Sequence, residues 1–265
     1  MENNFVKRNS IQRHVDFMKQ IYIQAFKQIR EYPANFFSIF YFDIVLTIVY
    51  LLFYSVFQNL ASLFLDWTYI DFILFLISIS LVTKSMYFFI ILGFRDKLLS
   101  GELNLWKSKP IHPFIGISSR SKDGAIYTTF IFVPFLVFFC LYGDYENIFL
   151  GFFLLMLSLI YYVVYIDFLE SLAFIMKENS FMIRIGKDVA YLNERFTPKV
   201  FENSLLFILF YLPTALFGFY FIELVNGRYD YLIQHMFGII LFFLFFLFGT
   251  YVLWKIGLKK YEAFG

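Results

Sequence analysis

Four ionisable side chains stand inside long apolar runs of this sequence: Asp43, Lys84, Asp167 and Glu170. An ionised group at the centre of a bilayer-spanning helix costs about 2.5–3.5 kcal/mol on insertion scales, so it turns to a partner, the protein interior or water. At a rise of about 1.5 Å per residue, Asp43 and Glu170 lie roughly 10 Å from the basic end of their runs. Lys84 and Asp167 lie roughly 15 Å in by the same arithmetic. Lys84 therefore shares its depth with two candidate counter-ions, Asp43 and Asp167. Glu170 follows Asp167 by three positions, so both look out from one helical face. Two chemistries fit: a polar lining for a translocation path, or an ion pair that fixes helix register.

No other constellation reads as reactive. The sequence has no G-x-x-x-x-G-K-[ST] phosphate loop, no H-E-x-x-H and no G-x-S-x-G. Cys140 is the one cysteine, which excludes an internal disulfide framework, and His14, His112 and His235 lack ligand spacing. The chain is expected to carry no catalytic residue, metal or cofactor of its own. The stripe Phe242, Phe243, Phe245, Phe246 and Phe248 reads as lipid-facing packing rather than a ligand box.

These residues need an apolar solvent around their elements, and composition supplies the reason. Of 265 residues 60% are hydrophobic, and only 16% are charged. A soluble domain carries about 25% charged residues, so lipid must solvate this chain. Six apolar runs are long enough to cross as helices: Phe36–Leu60, Ile70–Phe94, Ala125–Tyr142, Ile148–Met176, Asn203–Leu224 and Gln234–Trp254. The fold class is an all-α polytopic membrane protein of six transmembrane helices. Pro213 interrupts the fifth run, which reads either as a kinked span or as a span followed by a re-entrant piece. The polar start shows no cleavable signal, so the first span is expected to act as a signal anchor.

Lys and Arg set the orientation. Twenty of the 22 fall in the amino-terminal segment, the second-to-third loop, the fourth-to-fifth loop and the tail. The opposite side has Arg228 among Asp66, Asp71, Asp144, Glu146 and Asp230. Both termini are expected in the cytoplasm. Residues 1–35 form a cytoplasmic amphipathic segment and 36–265 the transmembrane domain. Within Ser10–Tyr32, Ile11, Val15, Met18, Tyr22, Ala25 and Ile29 recur at steps of three and four, as an interfacial helix requires. The loop near 95–124 is long for a plain connection, and a docking role fits its length.

Three stretches carry a resemblance. Ser100-Gly-Glu-Leu-Asn-Leu-Trp-Lys-Ser-Lys-Pro110-Ile-His-Pro113 resembles the first cytoplasmic loop of permease subunits of type-2 ABC exporters. Trp254, Gly257, Leu258 and Tyr261 are similar to the carboxyl-terminal signature of that group, and Arg30-Glu-Tyr32-Pro-Ala-Asn35-Phe36 to its entry into the first span. Arg195-Phe-Thr-Pro198 and Pro213 add to the likeness. Asn104 stands where the group has Asp, and His112 where it has Asn.

The resemblance implies a membrane-spanning permease of an ATP-driven exporter in the cytoplasmic (inner) cell membrane. It would pair with a second permease, in a homo- or heterodimer, and with separate cytoplasmic ATPase subunits that hold ATP and magnesium. Arg95, Asp96, Lys97, Glu102 and Asn104 would belong to the coupling helix that docks on the ATPase. The Ser10–Tyr32 segment would be the connecting helix. No nucleic-acid partner is implied, and the many aromatic residues suit a hydrophobic or amphipathic substrate and suit lipid equally. Two rival readings are an ATP-independent secondary transporter, for which interrupted spans would speak, and a membrane-embedded enzyme, for which no constellation speaks.

Overall fold

The computed structural model describes residues 10–34, 37, 38, 41, 45, 48, 49, 52, 55, 67–86, 94–109, 112–118, 145–176, 181, 184–186, 188, 189, 192, 199 and 205–261. Helix is the only regular structure among them. The elements are α1 (Ser10–Glu31), α2 (Tyr69–Met86), α3 (Phe94–Leu99), α4 (Glu102–Lys107), α5 (Pro113–Ser118), α6 (Tyr145–Ser171), α7 (Pro213–Val225) and α8 (Asp230–Lys260). A 3-10 turn, Leu172–Phe174, extends α6, and a 3-10 segment, Leu205–Tyr211, precedes α7.

Two stretches are long and apolar enough to cross a membrane, Phe149–Phe174 and Asp230–Lys260. They match the expected fourth and sixth spans, and α2 lies in the second. The sixth is longer than expected at both ends. Asp230 opens it and Lys259 and Lys260 close it, each charge matched to the helix dipole. The third expected span lies outside the described residues. Of the first, only isolated helical residues from 37 to 55 are described. On α1, Val15 of the apolar face is exposed, and the Phe17 ring lies 6.2 Å from Trp106.

α2, α6, α7 and α8 share one apolar core rich in aromatic rings, including Phe75, Tyr161, Tyr165, Phe217, Phe219 and Phe246. One end of this bundle is tied by polar groups. Thr68 and Asp71 cap α2 reciprocally, with the Thr68 N–H donating to Asp71 Oδ2 at 2.7 Å. Asn226 donates to Asp71 Oδ1 at 3.1 Å, and the Trp67 indole N–H donates to buried Glu223 at 2.7 Å. Arg228 stands 3.9 Å from the same Glu223 oxygen. Tyr229 donates to Asn147 at the start of α6.

The fifth span departs from expectation. Leu212 is extended, with ψ 152°, and Pro213 opens a new helix at a position that needs no N–H. The Phe210 ring lies 5.9 Å from Phe219, and the Tyr211 and Tyr220 rings both abut His235, at 5.7 and 6.2 Å. Nine residues of continuous helix rise about 13.5 Å. The chain therefore doubles back at Leu212, and Asn203–Leu224 is not one crossing helix. The Tyr161 hydroxyl donates to the Tyr211 carbonyl at 2.7 Å, which satisfies a group that the break releases. Inside α7, Leu216–Tyr220 is a π-helical turn.

Lys199 departs with it. Its ammonium lies 5.3 Å over the Tyr231 ring, and Tyr231 joins Phe219 and Trp67 at the polar-tied end. The expectation grouped Lys199 with the basic residues of the other end. Charge counting placed it there because this stretch is too polar to read as a crossing.

Candidate functional site

The opposite end of the bundle holds a second, smaller core. Gly101 joins α3 to α4 at φ +75°, a left-handed conformation that suits glycine because a Cβ would crowd the following carbonyl. The two short helices then face each other and bury Phe94, Leu98, Leu103 and Trp106. Ile117 of α5 and Trp254 of α8 complete the cluster, with Phe17, Phe114, Phe174, Leu258 and Tyr261 packed around it. Trp254 is its centre. Its ring lies 5.0 Å from Phe94, 5.2 Å from Phe114 and 5.2 Å from Phe174. Burying each such ring contributes about 1.5–3 kcal/mol, so the cluster holds these short helices that could not stand alone.

Hydrogen bonds weld the cluster to the spanning helices. The Phe94 N–H, at the start of α3, donates to Glu170 Oε2 at 3.1 Å. A carboxylate at that place meets the positive end of the helix and one of its unpaired donors. The Trp254 indole N–H donates to Ser171 Oγ at 2.8 Å, and Ser171 donates in turn to the Asp167 carbonyl. Lys107 Nζ reaches the Leu258 carbonyl at 3.4 Å, in the last turn of α8, and lies 4.7 Å over the Tyr261 ring. The Tyr261 hydroxyl donates to the Leu98 carbonyl at 3.3 Å, and burial pushes this phenol above its ordinary range. Gly257 is buried, and a Cβ there would run into the Phe174 ring. The absence of a side chain is what lets α8 lie against the end of α6.

The sequence-predicted residues fall as follows. Trp254, Gly257, Leu258 and Tyr261 all join this core, and so do the helices carrying Arg95, Asp96, Lys97, Glu102 and Asn104. Asp96 and Asn104 are exposed, whereas Arg95, Lys97 and Glu102 are half-buried. Glu102 accepts the Trp106 indole N–H at 3.3 Å. Asp167 and Glu170 are buried side by side on α6. Asp43 and the side chain of Lys84 lie outside the described residues.

The structure adds residues that the sequence did not single out. Leu99 and Leu105 are 48% and 61% exposed and flank the Gly101 turn, giving the hairpin an apolar outer edge. Ser171 relays between two helices, and Glu223 anchors the far end. Glu223 had a readable signal, a carboxylate inside an apolar run with Arg228 five residues on.

A family model described as ABC-2 family transporter protein matches residues 44–265. No curated protein and no solved structure matches the chain.

Proposed function

The chain belongs to the ABC-2 family of transporter proteins, and from that premise we propose that it is the permease of an ATP-driven exporter whose ATPase docks on the α3–α4 hairpin. As a member of that family it is a membrane transport subunit. The proposal adds the direction of transport, the docking site, a second permease as partner and the cytoplasmic membrane as the location.

One observation supports it above others. The loop and the carboxyl-terminal signature, more than 140 residues apart in sequence, are parts of one small core. A force applied to the α3–α4 hairpin would reach α6 through Glu170 and α8 through Trp254 without passing through a flexible joint. Leu99 and Leu105 offer the apolar contact that a docking groove needs, with Asp96 and Asn104 at its rim. Positive charge near 95–124 and in the tail supports a cytoplasmic position for this end.

Among the described residues, the broken Leu205–Val225 segment is the feature that favours an ATP-independent transporter. A single experiment separates the two. Expressed with its genomic neighbours and purified from the membrane, the chain should retain a soluble ATPase. Vesicles holding both should transport only with ATP. Transport of equal rate in vesicles without any ATPase would reject the proposal.

A further inference from the structure

We propose that the last turns of α8 hold an anionic phospholipid, its headgroup between Lys255 and Lys259 and its chains along the apolar face that leads up to them. The proposal goes beyond the exporter reading and needs only that α8 spans a membrane.

One face of α8 is exposed along its length. Ile233, Phe237, Leu244, Phe248 and Tyr251 open on it at helical spacing. From Ile233 to Tyr251 the helix rises about 27 Å, close to the thickness of the hydrocarbon layer. Lys255 follows Tyr251 by four positions and Lys259 follows Lys255 by four, so both continue the same face beyond its apolar end. Both lysines are exposed. Tyr251 stands at the border, an amphipathic ring of the kind that sits at headgroup level, with Lys255 Nζ 5.7 Å from its centroid.

Charge selects the occupant of this place. The last three turns of α8 carry Lys255, Lys259 and Lys260 and no carboxylate. Among the described residues no ion pair joins Lys255 or Lys259 to an acid. Side chains four positions apart on a helix start about 5–6 Å from each other, so two flexible ammonium stems can converge on one phosphate. A lipid of net negative charge answers both ammoniums, whereas the cation of a zwitterionic head competes with them. Its chains then fall on Phe248 and Leu244, which already face hydrocarbon. The inner face of the same turns carries buried Trp254 and Gly257, so the lipid and the smaller core hold one stretch of helix from two sides.

The test uses the purified complex in detergent, with native mass spectrometry counting bound lipid. The first phosphatidylglycerol should bind at least about tenfold more tightly than phosphatidylcholine, since each lysine beside an anionic head contributes about fivefold. Absence of this preference would overturn the proposal. Lys255→Gln combined with Lys259→Gln should bring the two lipids to within about twofold of each other. Lys19→Gln combined with Lys27→Gln, at exposed lysines of α1, is the control and should keep the preference. Equal loss in both double variants would mean diffuse attraction and no site on α8. Soluble glycerol phosphate should not displace the lipid; displacement would make this an anion site and overturn the lipid assignment. With Cys140 replaced by Ser, Tyr251→Cys should form no disulfide between copies under oxidation. A linked pair would show that a second copy covers this face, which overturns the proposal as well. Lipid counting needs no ATP, so failure here is distinct from failure of the exporter reading.

Discussion

Gly257 shows how little atomic volume separates the two long helices. A Cβ there meets the Phe174 ring, and overpacking of this kind costs about 1–3 kcal/mol. Gly257→Leu should lower the melting temperature in detergent, and adding Phe174→Ala should restore part of it, because the second change opens the space that the first requires. Glu170 makes a different demand. Glu170→Gln keeps an oxygen for the Phe94 N–H, whereas Glu170→Leu leaves that buried donor unpaired, at about 1–3 kcal/mol. Thermal unfolding should therefore rank Gln close to wild type and Leu well below it. Equal loss in both variants would mean that charge, not the hydrogen bond, is what matters at this position. At this scale the sequence was partly legible. Trp254, Gly257 and Tyr261 stood out as a group, but only the fold shows that they meet Phe94 and Leu98. Ser171 carried no signal, since a lone serine after Glu170 reads the same whether or not an indole reaches it.

Helices α3 and α4 are six residues each, too short to be stable by themselves. They persist because four of their side chains enter the smaller core, which leaves Leu99 and Leu105 free to point away from it. Replacing both leucines by Asp should reduce co-purification of the ATPase at least about tenfold, as loss of an apolar anchor does at other interfaces. The melting temperature should stay within a degree or two of wild type, since neither residue is buried in the chain alone. A large drop in stability with unchanged co-purification would move the docking site elsewhere. Charge patterning pointed to this loop but drew the eye to Arg95 and Glu102, which are half-buried. Exposure of a leucine is invisible in a sequence, where every leucine reads as core. The break at Leu212 was legible through Pro213, but not its consequence. A proline announces a lost donor and says nothing about whether the chain bends or turns back.

For the whole molecule the even pairing of ends gives the sharpest check. Cysteines placed at Asp144 and Ser121, after removal of Cys140, should differ in intact cells: an impermeant maleimide reaches position 144 and spares 121. The reverse would overturn the cytoplasmic assignment of the α3–α4 end. The helical class and the second, fourth and sixth apolar runs were readable because long runs of Leu, Ile and Phe leave no other structure open in lipid. The change of ends between Phe174 and Lys199 was not, because hydropathy weighs each segment as if it met lipid on all sides. A polar segment that packs one face on its neighbours, as Val189 and Leu192 do, escapes that logic.

Lys199, over the Tyr231 ring, carries a consequence for how the protein is made. A stretch holding Arg184, Lys187, Asp188, Glu194 and Arg195 is too polar to leave the translocon sideways by itself. Lys199 can meet the Tyr231 ring only after the ribosome has delivered α8, the helix that carries Tyr231. Maturation then has an obligatory order. A reporter fused just after Lys199 should report the side of synthesis, and the same reporter placed there in the full-length chain should report the side of Tyr231. On that outcome α8, which carries Tyr231, is the element that fixes where Lys199 comes to rest.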